Sequence, residues 1–190
     1  MLKKNNNCAF LYLAKSNINL EKLEFEDIFS SNECVKLIQS GRIQKIVKDN
    51  NSYILLATQS HAFETEDERD YKPQDDKSIY GKILAIDEKD NTYKIFSKGH
   101  RNILGLLVDG DVILSTENGP RGGDEINRIY ENKNYGWDIA SYGKKYHLNQ
   151  GYKSHSDLGF EEPIFSFIPS FGISEIIKID NNFDEDWHNN

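Results

Sequence analysis

The chain has 190 residues, of which 37% are apolar, 12% aromatic and 28% charged, and its formal net charge is −8. That composition suits one folded domain, or part of a larger one, and excludes a disordered segment. The acidic balance argues against nucleic acid as a partner, because the longest basic cluster is the pair Lys144–Lys145 and phosphates would meet no neutralising patch.

Residues 1–7 carry two lysines and resemble the charged head of a secretion signal. The apolar run behind them, CAFLYLA (8–14), is too short for such a signal and is broken by Lys15, so it reads as a strand. Further strand-like runs follow in chain order: LEFEDIF (23–29), RIQKIV (42–47), SYILLAT (52–58), YGKILAID (80–87) and TYKIF (92–96). ILGLLVD (103–109), DVILSTE (111–117), EINRIY (125–130), PIFSFI (163–168) and SEIIKID (174–180) complete the series. Turn residues separate them, notably Asp-Asn-Asn at 49–51, Glu-Lys-Asp-Asn at 88–91 and Asp-Gly at 109–110. Helical charge spacing occurs only at 34–39, which is too short to matter. The chain is all-β, and hairpins recurring near 43–58, 80–96 and 103–117 favour a propeller with sheets of up to four strands over a sandwich.

Two inserts interrupt the pattern, an acidic one at 61–77 and one rich in Gly, Lys, His and Tyr at 141–162. The acidic insert lacks the regular ligand alternation of a dedicated calcium loop and reads as a solvated loop. Two cysteines, Cys8 and Cys34, stand far apart and are expected to be free and buried. No apolar run approaches a membrane span. The strand at 8–14 starts without a preceding partner and the pattern at the other end stops short. Residues 1–190 are therefore expected to be one segment truncated at both ends.

Chemistry concentrates at 99–143, where glycines are dense. Arg101 and Asn102 offer a planar cation and an amide, suited to an anionic, oxygen-rich planar ligand. Gly119–Pro120 is a turn whose carbonyl oxygens suit a hard cation, and Glu125 adds a carboxylate. Tyr135 and Trp137 in NYGW offer aromatic surface around Gly136. The set reads as a calcium-assisted site for an acidic aromatic ligand. The residues alone also allow a group of structural turns capped by Asp124 and Arg121.

The run GHRNILGL…STENGPRGGDEINRI…KNYGWDIASYG resembles the glucose/sorbosone dehydrogenase family, the soluble PQQ-dependent aldose sugar dehydrogenases. Weaker similarity covers SGRI (40–43), QDDKSIYGKILAID (74–87) and EEPIFSFIPSFGISEIIKI (161–179). The resemblance implies a partial β-propeller, about half of the family's six blades. It implies that Arg101 and Asn102 contact PQQ and that the Gly119 and Pro120 carbonyls hold the calcium against it. Glu125 and Tyr135 are implied to belong to a second, structural calcium site. The implied reaction is oxidation of an aldose to a lactone: calcium polarises the quinone, a base takes the hydroxyl proton and hydride passes to PQQ. A small-molecule sugar would be the partner. Family members are typically periplasmic, although no export signal is visible in this chain.

Two departures count against turnover. The family's catalytic histidine, four residues before an arginine matching Arg42, falls on Ile38, which cannot accept a proton. A Gly-Asp pair of the family falls on Gln59–Ser60, beside which His61 is the one candidate substitute base. His100 is expected to be structural, and His147, His155 and His188 carry no partner pattern. The two expectations left standing are a sugar oxidoreductase lacking its base and a non-catalytic propeller segment that binds calcium, a sugar or a protein partner.

Overall fold

The computed structural model describes residues 2–5, 8–19, 21–35, 41–60, 72–146, 150–179 and 183. The strands, in chain order, begin with β1 (Leu2–Asn5), β2 (Cys8–Lys15), β3 (Glu26–Ser30) and β4 (Gly41–Lys48). Then come β5 (Asn51–Thr58), β6 (Lys82–Asp87), β7 (Tyr93–Lys98) and β8 (Ile103–Asp109). The last four are β9 (Val112–Glu117), β10 (Asp124–Arg128), β11 (Lys133–Asn134) and β12 (Phe165–Phe167). Among the described residues, one 3-10 turn spans Ser156–Leu158.

These strands make three sheets, ordered β1-β2-β3, β11-β7-β6-β5-β4 and β12-β10-β9-β8. The predicted hairpins are present as antiparallel pairs β4–β5, β6–β7 and β8–β9. Their turn residues take the backbone that such turns need: Asp49 and Asn50 have φ of 52° and 61°, and Gly110 has φ of 58°.

The middle sheet is buried on both faces because side chains alternate along its central strands. Leu55, Ala57, Ile83 and Ala85 face the third sheet and pack with Ile103, Leu106 and Ile113. Leu56, Leu84 and Ile86 face the other way and pack with Leu11 and Phe29 of the first sheet. Removing each such Leu or Ile from water contributes about 1.5–3 kcal/mol. The leading strands β4 and β8 lie against each other. The Arg42 Nε–H donates to the Leu104 carbonyl across that junction. Sheets stacked in sequence with adjoining leading strands form part of a β-propeller, as predicted.

Several local expectations change. β2 does have a preceding partner, since β1 pairs with it antiparallel. The run at 23–29 forms a strand only from Glu26. Among the described residues of the last run, 174–179 form no strand. Side chains hold them instead: Thr116 donates to the Ser174 carbonyl, Glu175 pairs with Arg42 at 3.3 Å and Lys178 with Asp109 at 2.8 Å. The middle sheet has five strands rather than four because β11 adds two residues parallel to β7. Cys34 is disulfide-bonded, not free. The chain holds one other cysteine, Cys8, whose neighbour Ala9 bridges Val35.

Candidate functional site

The site is built where β7 and β9 end. Gly99 follows β7 with φ of 78°, and a side chain there would press on the Asn134 carboxamide and come within 2.6 Å of the Gly136 nitrogen. The bare backbone instead docks under NYGW: the Trp137 N–H donates to the Gly99 carbonyl at 3.0 Å. Close approach of this kind is what glycine permits and any β-carbon prevents.

Arg101 and Asn102 come next. The Arg101 Nη1 donates to the Asn118 carbonyl at 2.7 Å, and its guanidinium lies 5.4 Å from the Trp137 ring centroid. The Asn102 carbonyl accepts from the Asn118 N–H at 2.9 Å, whereas the Asn102 Oδ1 is buried without a hydrogen-bond partner. His100 is fully buried and stacks on Tyr135, with ring centroids 4.7 Å apart, which bears out its structural reading.

The turn at 118–124 folds around Asp124. That carboxylate is fully buried; its Oδ1 accepts from the Gly119 N–H at 3.0 Å and its Oδ2 from the Gly172 and Ile173 N–H groups at 2.8 and 2.9 Å. Asp124 is thus the turn's cap, while Arg121 is exposed. A β-carbon on Gly119 would overlap the Gly123 carbonyl, so the turn closes only with glycine there.

Between these elements lies a cavity of about 10 Å³. Its walls include Arg101, Gly119, Pro120, Glu125 and Tyr135, with Glu117, Trp137 and His155. Room of that size holds one water or one small ion. The structure therefore places the residues implied for two calcium sites and the arginine implied for PQQ around one space. Among the described residues, no three His, Cys, Asp or Glu side chains are grouped to hold a metal. A cation here would need backbone carbonyls beside the Glu125 carboxylate, which suits a hard ion.

The charge around Glu125 is what such an ion would relieve. Burial, then the nearby Glu117, Glu162 and Asp124 carboxylates, push the Glu125 carboxyl up to about 8. Its Oε2 accepts from the Asn127 amide at 3.3 Å, and its Oε1 lies 4.0 Å from His155 Nε2. Burial lowers the His155 pKa, so that ring is a poor counter-charge.

Ile38 and His61 lie outside the described residues, as do His147 and His188. Gln59 and Ser60 are buried, and the Ser60 N–H donates to the Arg101 carbonyl at 2.9 Å. Sequence reasoning missed two residues of the site. His155 has partners after all, stacking on Tyr142 with centroids 5.5 Å apart and facing Glu125; nothing in the local sequence of its loop indicates this. Glu117 closes the strand run DVILSTE, and the local signal of its role is a carboxylate directly before Asn-Gly-Pro.

A family model described as Glucose / Sorbosone dehydrogenase matches residues 3–190. The chain is 32% identical over 153 residues to quinoprotein glucose dehydrogenase B of Acinetobacter calcoaceticus, covering 67% of this chain and 31% of that protein. The soluble aldose sugar dehydrogenase of Escherichia coli, solved in its apo form, superposes with a TM-score of 0.74 at 23% identity, covering 92% of this chain and 54% of that one. The PQQ-bound aldose sugar dehydrogenase of Streptomyces coelicolor superposes with a TM-score of 0.57 at 23% identity, covering 85% and 49%. The chain thus spans about a third of this curated relative and about half of each solved structure. With the family match running over nearly its whole length, the chain belongs to the glucose/sorbosone dehydrogenase family.

Proposed function

We propose that residues 1–190 form the cofactor-facing segment of a PQQ- and calcium-dependent sugar dehydrogenase. The observation that carries this reading is the convergence of Arg101, Gly119, Pro120, Glu125 and Tyr135 on one ion-sized cavity that the buried Glu117 carboxyl also lines. The names of the relatives support the same activity class, one being a quinoprotein and another PQQ-bound.

The residues present fit both groups. The buried Glu117 and Glu125 carboxyls both line the cavity, a cation there would relieve the crowding that raises Glu125, and the Gly119, Pro120 and Tyr135 backbone with Glu125 would hold it. The space is too small for a tricyclic quinone, which would lie outside it against Arg101 and Asn102. The Arg101 guanidinium contacts Asn118 and Tyr146, and the N–H groups it does not use there suit a carboxylate. When bound, PQQ supplies the two-electron acceptor for a sugar's anomeric hydrogen. Arg101, stacked on Trp137, holds and orients that acceptor, while Glu125 neutralises the ion's charge.

The proton of the sugar hydroxyl has no assigned acceptor. Ile38 occupies the position where the family resemblance puts a histidine, and this sequence feature supports the second reading, a segment that binds cofactor, calcium or sugar without turning over. Dye-linked aldose oxidation by the chain reconstituted with PQQ and calcium separates the two. Turnover at a rate typical of such enzymes supports the enzyme; binding of PQQ without turnover supports the binding segment; absence of both PQQ and calcium binding refutes the proposal.

A further inference from the structure

We infer that Glu117 is the positioning residue of the Arg101–Asn102 pair, held by a buried Ser97–His100 relay, and that it sets the direction in which the pair presents its donors to an anionic cofactor. The inference rests on the reading of Arg101 and Asn102 proposed above. Its geometrical basis is a single carboxylate that gathers three N–H groups. Oε1 accepts from the Arg101 N–H and, at 3.3 Å, from the Asn102 N–H. Oε2 lies 3.2 Å from His100 Nδ1, and His100 Nε2 lies 2.8 Å from the Ser97 hydroxyl.

With the His100 Nδ1–H donating to Glu117 Oε2, the Nε2 of a neutral ring accepts from the Ser97 hydroxyl. The order Ser97–His100–Glu117 looks like that of a nucleophilic triad. Exposures of 1%, 0% and 4% close it to any substrate, which leaves positioning as its use. Two successive N–H groups aimed at one oxygen fix the backbone at both residues. The following residue, Asn118, locks the same pair from the other side by accepting from Arg101 Nη1 and donating to the Asn102 carbonyl. Stacking of His100 on Tyr135 stops the relay from rotating away. The Asn102 Oδ1 itself is buried without a hydrogen-bond partner, so the pair's donors are what an anionic ligand would meet.

The test uses the full chain. Amide hydrogen exchange should be slow at Arg101 and Asn102 and should rise at least about 10-fold in Glu117→Ala relative to the β5 and β6 amides, because charge-assisted hydrogen bonds are lost. Glu117→Gln keeps an acceptor oxygen, with His100 free to adopt its other tautomer, and should restore most of the protection. In a PQQ titration Glu117→Ala should weaken binding about 10-fold. In an Arg101→Ala/Asn102→Ala background the same substitution should have no further effect. Unchanged exchange at 101 and 102, or an additive cycle, overturns the inference. If Glu117→Ala fails to fold, Ser97→Ala loosens the relay from its far end and should raise exchange at the same two amides; no rise there also overturns it. Should the wild-type chain show the exchange pattern but bind no PQQ, the cofactor reading of the pair falls while the backbone-setting role of Glu117 stands.

Discussion

Calcium should stabilise this chain far more at high pH than at low pH, and Glu125 should be the reason. Its carboxyl is raised from the ordinary 4.5 to about 8 by burial and by Glu117, Glu162 and Asp124, with neutral His155 facing it. In the metal-free chain the unfolded state releases this proton first. Stability should therefore fall as pH rises from about 4.5 to about 8 and then level off. Calcium needs the ionised form, so protons compete with it below about pH 8. At pH 6 only about 1% of the folded chain carries the carboxylate, which weakens calcium binding about 100-fold relative to pH 9 and above. With calcium in excess, that factor corresponds to about 2.7 kcal/mol of stabilisation. For a chain of this size it is a difference of roughly 5–10 °C in the calcium-induced rise in Tm. The assay is thermal unfolding of chelator-treated protein at pH 6 and pH 9, with and without calcium. Glu125→Gln should be more stable than the wild type without calcium at pH 9, should lose the pH slope, and should not respond to calcium. An equal calcium response at both pH values, or a response that survives Glu125→Gln, would refute the reasoning.

Other expectations follow from the same geometry. The fully buried Lys82 donates its ammonium protons to the Lys72, Pro73 and Tyr80 carbonyls. Lys82→Met should therefore cost about 3 kcal/mol in denaturant unfolding, as three acceptors lose their donor. Burial lowers the Lys82 pKa from 10.5 to about 8, so wild-type stability should rise with pH across that window, and Lys82→Met should flatten the rise. Gly99→Ala should destabilise by about 2–4 kcal/mol and weaken PQQ binding, since its β-carbon would push NYGW off the Gly99–Arg101 backbone. Reconstituted with PQQ and calcium, the chain should oxidise aldoses about 10²–10⁴-fold more slowly than a variant with Ile38→His, as loss of a general base predicts. Robust wild-type turnover that vanishes in His61→Ala would instead identify His61 as the base.

Local sequence determined the central hairpins of this protein. Short continuous apolar runs in SYILLAT and KILAID read as strands buried on both faces, and Asp49, Asn50 and Gly110 take the positive φ that tight hairpin turns favour. The density of glycine at 99–143 likewise announced close backbone approaches before their partners were visible. Strand content did not determine partnership. SEIIKI (174–179) has the apolar content of a strand but forms none, and side chains from Thr116, Arg42 and Asp109 hold it instead. Pairing is a contact between distant residues, and apolar content does not specify which edge is free. The same limit applies to the site. Arg101, Gly119, Pro120, Glu125 and Tyr135 were legible because the family signature places them in one run of sequence. The fold alone brought His155 against Glu125, thirty residues away in the chain, and turned Glu117 from a strand end into the acceptor for Arg101 and Asn102. Burial and the approach of Glu117 to Glu125 across one small cavity are properties of packed sheets, and they raise the Glu125 carboxyl above the ordinary carboxylate range.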